Sequence, residues 1–188
     1  MSKAQQKPKI LNVKTVASSR MFRIQSVDLT FSNGESRVYE RLLPEGRQAV
    51  MIVPVINDDI LLIREYAVAI EDYELGFPKG LVEQDEDILV AANRELMEEI
   101  GYGARKLTVL SQLTLAPSYF ASTMTIVLAE DLYINKLEGD EPEPLTLVAW
   151  PQEKMMELLA DPDFNEARNV SALFLTREHL NQRAGSEL

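Results

Sequence analysis

The 188-residue chain contains no cysteine and a single histidine. The first absence excludes disulfides, thiol nucleophiles and cysteine-ligated metal sites. The second excludes the usual zinc centre, which draws several ligands from His and Cys; His179, in a helical pattern near the C-terminus, reads as a solvated or capping residue. Positive charge is also scarce, with 19 Lys and Arg against 30 Asp and Glu and a net charge of −11. Binding to a nucleic acid polymer or an anionic membrane depends on clustered Lys and Arg, so neither is an expected partner. No apolar run approaches the roughly 18 residues of a membrane helix, and the polar stretch Met1 to Lys9 lacks the apolar region of a signal peptide. The expectation is a soluble, cytoplasmic protein with one ordinary domain, long enough to bury a core without covalent staples.

What the chain does have is acid, concentrated in one place. Between Gly80 and Tyr102 lie five glutamates and Arg94, and Glu95, Glu98 and Glu99 crowd a single turn of a predicted helix. Residues three and four apart share a helix edge. Like charges at that spacing cost an isolated helix about 0.2–0.5 kcal/mol per pair, a penalty that a bound divalent cation reverses into attraction. An oxygen-only donor set suits Mg²⁺, Mn²⁺ or Ca²⁺ better than zinc. Arg94, four residues before Glu98 and within reach of Glu86, is placed to hold the carboxylates in position.

Around this helix the periodicities are mixed. Ile10 to Ala17, Phe22 to Phe31 and Glu35 to Leu43 read as strands, the last two joined by an Asn33-Gly34 turn. Ala49 to Ile56 and Ile60 to Arg64 form a second hairpin across Asn57-Asp58-Asp59, and Tyr73 to Phe77 is a short strand before Pro78-Lys79-Gly80. The acidic helix is expected to start near Asp87, with Asp85 or Glu86 at its N-terminus, to end at Gly101, and to bury Ile88, Leu89, Ala92, Leu96 and Ile100. Lys106 to Leu115, Thr123 to Glu130 and Leu145 to Trp150 complete the strands, and Glu153 to Leu159 and Glu166 to Gln182 read as terminal helices. Strands with a helix in the middle and helices at the end describe an α/β or α+β domain.

The order Gly80, Glu86, Arg94, Glu95, Glu98, Glu99, Gly101 resembles the Nudix box, GX5EX7REUXEEXGU with U aliphatic, in every fixed letter. Seven fixed letters, each met by chance at roughly one in fifteen, do not coincide by accident. Leu96 meets the first aliphatic position, while Tyr102 departs from the second. The resemblance implies a Nudix fold, an α/β/α sandwich around a mixed sheet, spanning 46–188, preceded by an N-terminal antiparallel β region over 1–45 that serves in dimerisation. It implies a hydrolase of diphosphate linkages in which Glu95, Glu98 and Glu99, with a backbone carbonyl at Lys79 or Gly80, ligate Mg²⁺ or Mn²⁺. Glu98 and Arg94 are then catalytic residues, and Gly80, Glu86 and Gly101 support the site.

The chain further resembles the ADP-ribose subgroup of that family. Pro117 lies sixteen residues beyond Gly101, and an acidic loop, Glu138 to Glu143, precedes the Leu145 to Trp150 strand and Pro151. Subgroup members take the general base from such a loop. Glu143 fits that register best, with Glu141, Asp140 and Glu138 as alternates, and Glu95 or Glu98 as base if the loop is only an acidic surface segment. Substrate contacts are expected from Arg47, Arg64, Glu74 and Ser118, and Tyr66, Tyr73, Tyr119 and Phe120 are available to stack an adenine. The implied substrates are small ADP-containing diphosphates such as ADP-ribose, diadenosine polyphosphates and NADH, cleaved by a homodimer to release AMP. Two other readings stay open, a nucleoside triphosphate pyrophosphatase and a Nudix-like nucleotide-binding domain without turnover.

Overall fold

The structure is a computed structural model and describes residues 6–44 and 48–186. It divides into two compact units, one formed by 1–47 with 114–123 and the other by 48–113 with 124–188.

The first unit is an antiparallel sheet of three strands in sequence order, β1 (Lys9–Ser18), β2 (Phe22–Thr30) and β3 (Ser36–Pro44). The Asn33-Gly34 turn forms as expected, with Gly34 N donating to Phe31 O at 3.0 Å and Glu35 N to Asn33 Oδ1 at 3.0 Å. The 114–123 turn adds to β3 through Leu42 N to Tyr119 O at 2.7 Å and Ala121 N to Leu42 O at 3.1 Å, and Phe120 meets Phe22 edge-on. All ten residues of β1 are exposed, including Ile10, Leu11, Val13 and Val16.

The second unit is built on a mixed sheet. Its strands are β4 (Ala49–Ile56), β5 (Asp59–Ala67), β6 (Asp72–Gly76), β7 (Lys79–Leu81), β8 (Tyr102–Leu115), β9 (Ser122–Ile134) and β10 (Thr146–Pro151). The order is β10-β5-β4-β9-β8, with β6 paired to β5 and β7 to β4. β4 runs parallel to β9, and its pairings with β5 and β7 are antiparallel. The β4–β5 hairpin pairs only at its turn, Val55 with Ile60 and Ile56 with Asp59. Beyond that the two strands take different partners, so the chain passes from β6 on β5 to β7 on β4, and Ile52 N donates to Pro78 O at 2.8 Å.

Alternation along the central strands sorts the core into two layers. Val50, Ile52, Leu61, Ile63, Val127 and Ala129 pack with Ala91, Ala92, Leu96 and Ile100 of helix α1 (Ile88–Glu99) and its end. The alternate residues Met51, Val53, Leu62, Ile126 and Leu128 are equally buried on the opposite face, the side left for helix α2 (Ala167–Ser186), which contacts β4 and buries Ala172, Leu173 and Thr176. A sheet covered by a helix on each face is the α/β/α sandwich expected.

Some local details differ from the sequence reading. Lys79–Leu81 is a strand and not merely a loop, because β4 leaves an open edge at Ala49, Val50 and Met51 for it to pair with. Ala91 is fully buried while Ile88 and Leu89 are half-buried, since only a side chain as small as Ala91 lets the helix come close to the sheet. Gln152–Ala160 forms a 3-10 helix, with Met155 and Leu158 as its buried residues.

Candidate active site

Helix α1 begins at Asp87, whose Oδ1 accepts from Leu89 N at 2.8 Å and Val90 N at 3.3 Å, satisfying two of the orphan donors of the first turn. It ends as Gly101 adopts a φ of +77°, a left-handed conformation that costs a side-chain-bearing residue more than glycine. The carbonyls freed there are taken by the segment after β9: Leu137 N donates to Met97 O at 3.1 Å and Asn135 N to Gly101 O at 3.0 Å. These bonds start the acidic loop at the C-terminal end of α1.

Within the helix, Arg94 organises the carboxylates. Its guanidinium donates to Glu86 Oε1 and Oε2, both at 3.0 Å, to Glu95 Oε1 at 2.8 Å, to Glu98 Oε2 at 2.9 Å and to Leu81 O at 3.0 Å. Three carboxylates and one carbonyl thus converge on one cation, and Glu86 first among them raises its pKa above the ordinary arginine value. In return Arg94 holds the Glu86 carboxyl below its ordinary value. Glu95 receives the same help, but burial outweighs it and raises its pKa, with Glu98 and Asp140 adding repulsion.

Glu99 turns the other way, accepting from Lys79 N at 3.0 Å. Burial pushes its carboxyl up to about 8; Lys79 opposes the shift, whereas Glu65 and Glu95 add to it. Lys79 Nζ is ion-paired with Glu65 on β5. Gly80, paired with Val50 in the β4–β7 ladder, faces the Glu95 carboxylate so closely that a Cβ at this position would overlap it. The fixed glycine at the start of the box is therefore a space requirement of Glu95.

Among the described residues no three carboxylates converge in a metal-holding arrangement, because Arg94 engages one oxygen each of Glu95 and Glu98 and the Lys79 amide engages one of Glu99. The donor chemistry nonetheless fits a divalent ion. Each of these glutamates has a second carboxylate oxygen, and the raised pKa values of Glu95 and Glu99 register first their burial and then the repulsion of neighbouring carboxylates, both of which a hard cation offsets.

A cleft of about 380 Å³ opens beside the end of α1, lined by Glu98 and Glu99 on one side and by Glu138, Glu141 and Glu143 of the acidic loop on the other. Two segments some forty residues apart in sequence thus share one cavity. Glu143 accepts from the Tyr73 hydroxyl at 2.5 Å, and Tyr73 meets Tyr66 edge-on at 5.5 Å.

The remaining expected residues are placed as follows. Arg64 is on β5 and donates to Asp163 Oδ2 at 2.6 Å. Glu74, on β6, stands opposite Glu65 in the β5–β6 ladder. Ser118 is exposed in the 114–123 turn of the first unit, as is Tyr119, while Phe120 packs on Phe22. Arg47 lies outside the described residues. Sequence reasoning missed Glu65, which sits beside Arg64 but touches the box only through folding, and Asn169, whose Oδ1 accepts from Phe77 N at 2.9 Å just before the box. No local pattern singles out either one.

The helix edge, the glycine that clears room for it and the arginine at its centre are those of a Nudix site, and the chain belongs to the Nudix hydrolase family: residues 46–180 match the NUDIX domain. Residues 8–41 match the NudE-type Nudix hydrolase N-terminal domain. The chain is 65% identical over 180 residues to ADP compounds hydrolase NudE of Escherichia coli, covering 96% of this chain and 97% of that protein. It is 27% identical over 172 residues to the ADP-ribose pyrophosphatase of Bacillus subtilis, covering 88% and 92% respectively. A solved structure described as a crystal structure of ADP compounds hydrolase superposes with a TM-score of 0.93 at 64% identity, over 97% of this chain and 98% of the other. Nudix hydrolases generally use a divalent metal ion.

Proposed function

We propose that this enzyme hydrolyses the diphosphate bond of small ADP-linked compounds, among them ADP-ribose, diadenosine polyphosphates and NADH, and releases AMP. The observation that carries the reading is the cleft in which the box carboxylates meet the acidic loop, in a chain 65% identical to a protein named for ADP compounds. Mg²⁺, or Mn²⁺, held by Glu95, Glu98 and Glu99 with a carbonyl at Lys79 or Gly80, supplies charge neutralisation of the diphosphate and acidification of a water when bound. Arg94 bridges Glu95 and Glu98 through one guanidinium nitrogen and so orients both. Glu143, across the cleft, takes the proton of the attacking water as general base, with Glu141, Asp140 and Glu138 the alternative positions in the same loop.

Arg47, Arg64, Glu74 and Ser118 are the residues proposed to contact substrate; for Arg64 a phosphate would replace its present partner Asp163. Residues 1–45 form the N-terminal β region and 46–188 the catalytic domain, and the active species is a homodimer with no nucleic acid or membrane partner. Its place is the cytoplasm, since a substrate carrying a charged diphosphate does not cross a membrane unaided. Among the described residues no helix is long and apolar enough to cross a membrane.

The test is product analysis with Mg²⁺, offering ADP-ribose, NADH, diadenosine triphosphate and dGTP in parallel and resolving products by chromatography. AMP from the first three is expected, and Glu98→Gln should lower kcat by orders of magnitude. Turnover of dGTP alone would reassign the enzyme to the triphosphate pyrophosphatases, and no turnover of any would make the protein a binding domain.

A further inference from the structure

Loops that carry a catalytic carboxylate need something to fix them, because a side chain free to sample several positions spends little time at the reacting one. The segment from Asn135 to Leu145 has no regular secondary structure. One end is pinned by the Leu137 amide to α1 and by the Asn135 amide to Gly101 just beyond it, and the other enters β10, which pairs with β5 from Thr146 onward. Between these ends, the Tyr73 hydroxyl holds Glu143 at 2.5 Å across 70 residues of sequence.

Tyr73 is well suited to that task. It lies on β6, opposite Tyr66 of β5, and the two rings meet edge-on at an interplanar angle of 70°. The phenol therefore projects from a paired strand and is braced by a second ring, a stiffer anchor than a residue on a loop. It does not line the cleft that Glu143 shares with Glu98 and Glu99; it grips the glutamate from outside. A carboxylate accepts at two oxygens, so with Oε1 on the phenol the Oε2 of Glu143 is the one presented for proton transfer.

We propose that Tyr73 is a positioning residue for the acidic loop, holding Glu143 by one carboxylate oxygen so that the other serves as the proton acceptor. The inference rests on the reading of Glu143 as base. The raised pKa of the Tyr73 hydroxyl, caused first by its hydrogen bond to Glu143, keeps it a donor throughout the range in which the enzyme would work. Replacement by Phe removes that donor alone and leaves the edge-on ring contact with Tyr66, so the fold is retained.

The experiment is a double-mutant cycle on the full chain with ADP-ribose and Mg²⁺, comparing wild type, Tyr73→Phe, Glu143→Gln and the double variant. Tyr73→Phe is expected to lower kcat about tenfold with KM within about twofold, and to have no further effect in the Glu143→Gln background. An unchanged or raised kcat in Tyr73→Phe, with Glu143→Gln strongly impaired, would overturn the positioning role and leave the base reading standing. An equal loss in both backgrounds would also overturn it, since Tyr73 would then act through some other group. Wild-type turnover of Glu143→Gln would retire the base and the positioning role together.

Discussion

At the scale of single residues, the site is governed by how much burial each carboxylate suffers and which cation offsets it. Glu86 and Glu95 both bond Arg94, yet their pKa values move in opposite directions: the paired hydrogen bonds from Arg94 dominate at Glu86, whereas desolvation outweighs the single bond at Glu95. Glu99 is the extreme case, raised from an ordinary 4.5 to about 8. Its folded pKa exceeds its unfolded one, so the protonated form favours folding. That contribution is fully present below about pH 4.5 and is lost as pH rises through about 8. Metal ligation needs the carboxylate, so protons and metal compete for it. Thermal unfolding of metal-free protein should therefore show Tm falling between pH 5 and 8 through this group, while the Tm increment from saturating Mg²⁺ grows over the same interval. An increment that is flat or shrinks with pH would remove Glu99 from the ligand set.

At the scale of elements, the box depends on the strand that precedes its helix as much as on the helix. β7 places Gly80 against the Glu95 carboxylate, and a methyl there meets the flexible end of a side chain, not backbone. Gly80→Ala should thus displace Glu95 at small cost in stability while lowering kcat by at least about tenfold; a variant with normal turnover would show that Glu95 need not stay where it is. The sequence made α1 legible down to its ends, because Asp87 and Gly101 act through local geometry. It did not make β7 legible, since three residues carry no periodicity and their pairing comes from β4, thirty residues earlier. For the same reason Glu65, Asp163 and Asn169 escaped notice: each acts on a residue distant in sequence.

At the scale of the whole molecule, the exposure of every residue of β1, with four aliphatic side chains among them, is costly for an isolated chain. Sedimentation should find a dimer at micromolar concentration, and charged replacements at Ile10 and Val13 should shift it toward monomer; a wild-type chain that sediments as a monomer would end the homodimer proposal. By itself the sequence determined the family and the helix, because the box packs its fixed residues into some twenty contiguous positions whose spacing is set by the helical repeat. Only the tertiary structure decided that the acidic loop faces Glu98 and Glu99 across one cleft, that Tyr73 holds Glu143, and that Asp163 occupies Arg64. Those are contacts between segments brought together by the pairing of β5 with β6 and β10, and a linear pattern records the residues without recording which strands will be neighbours.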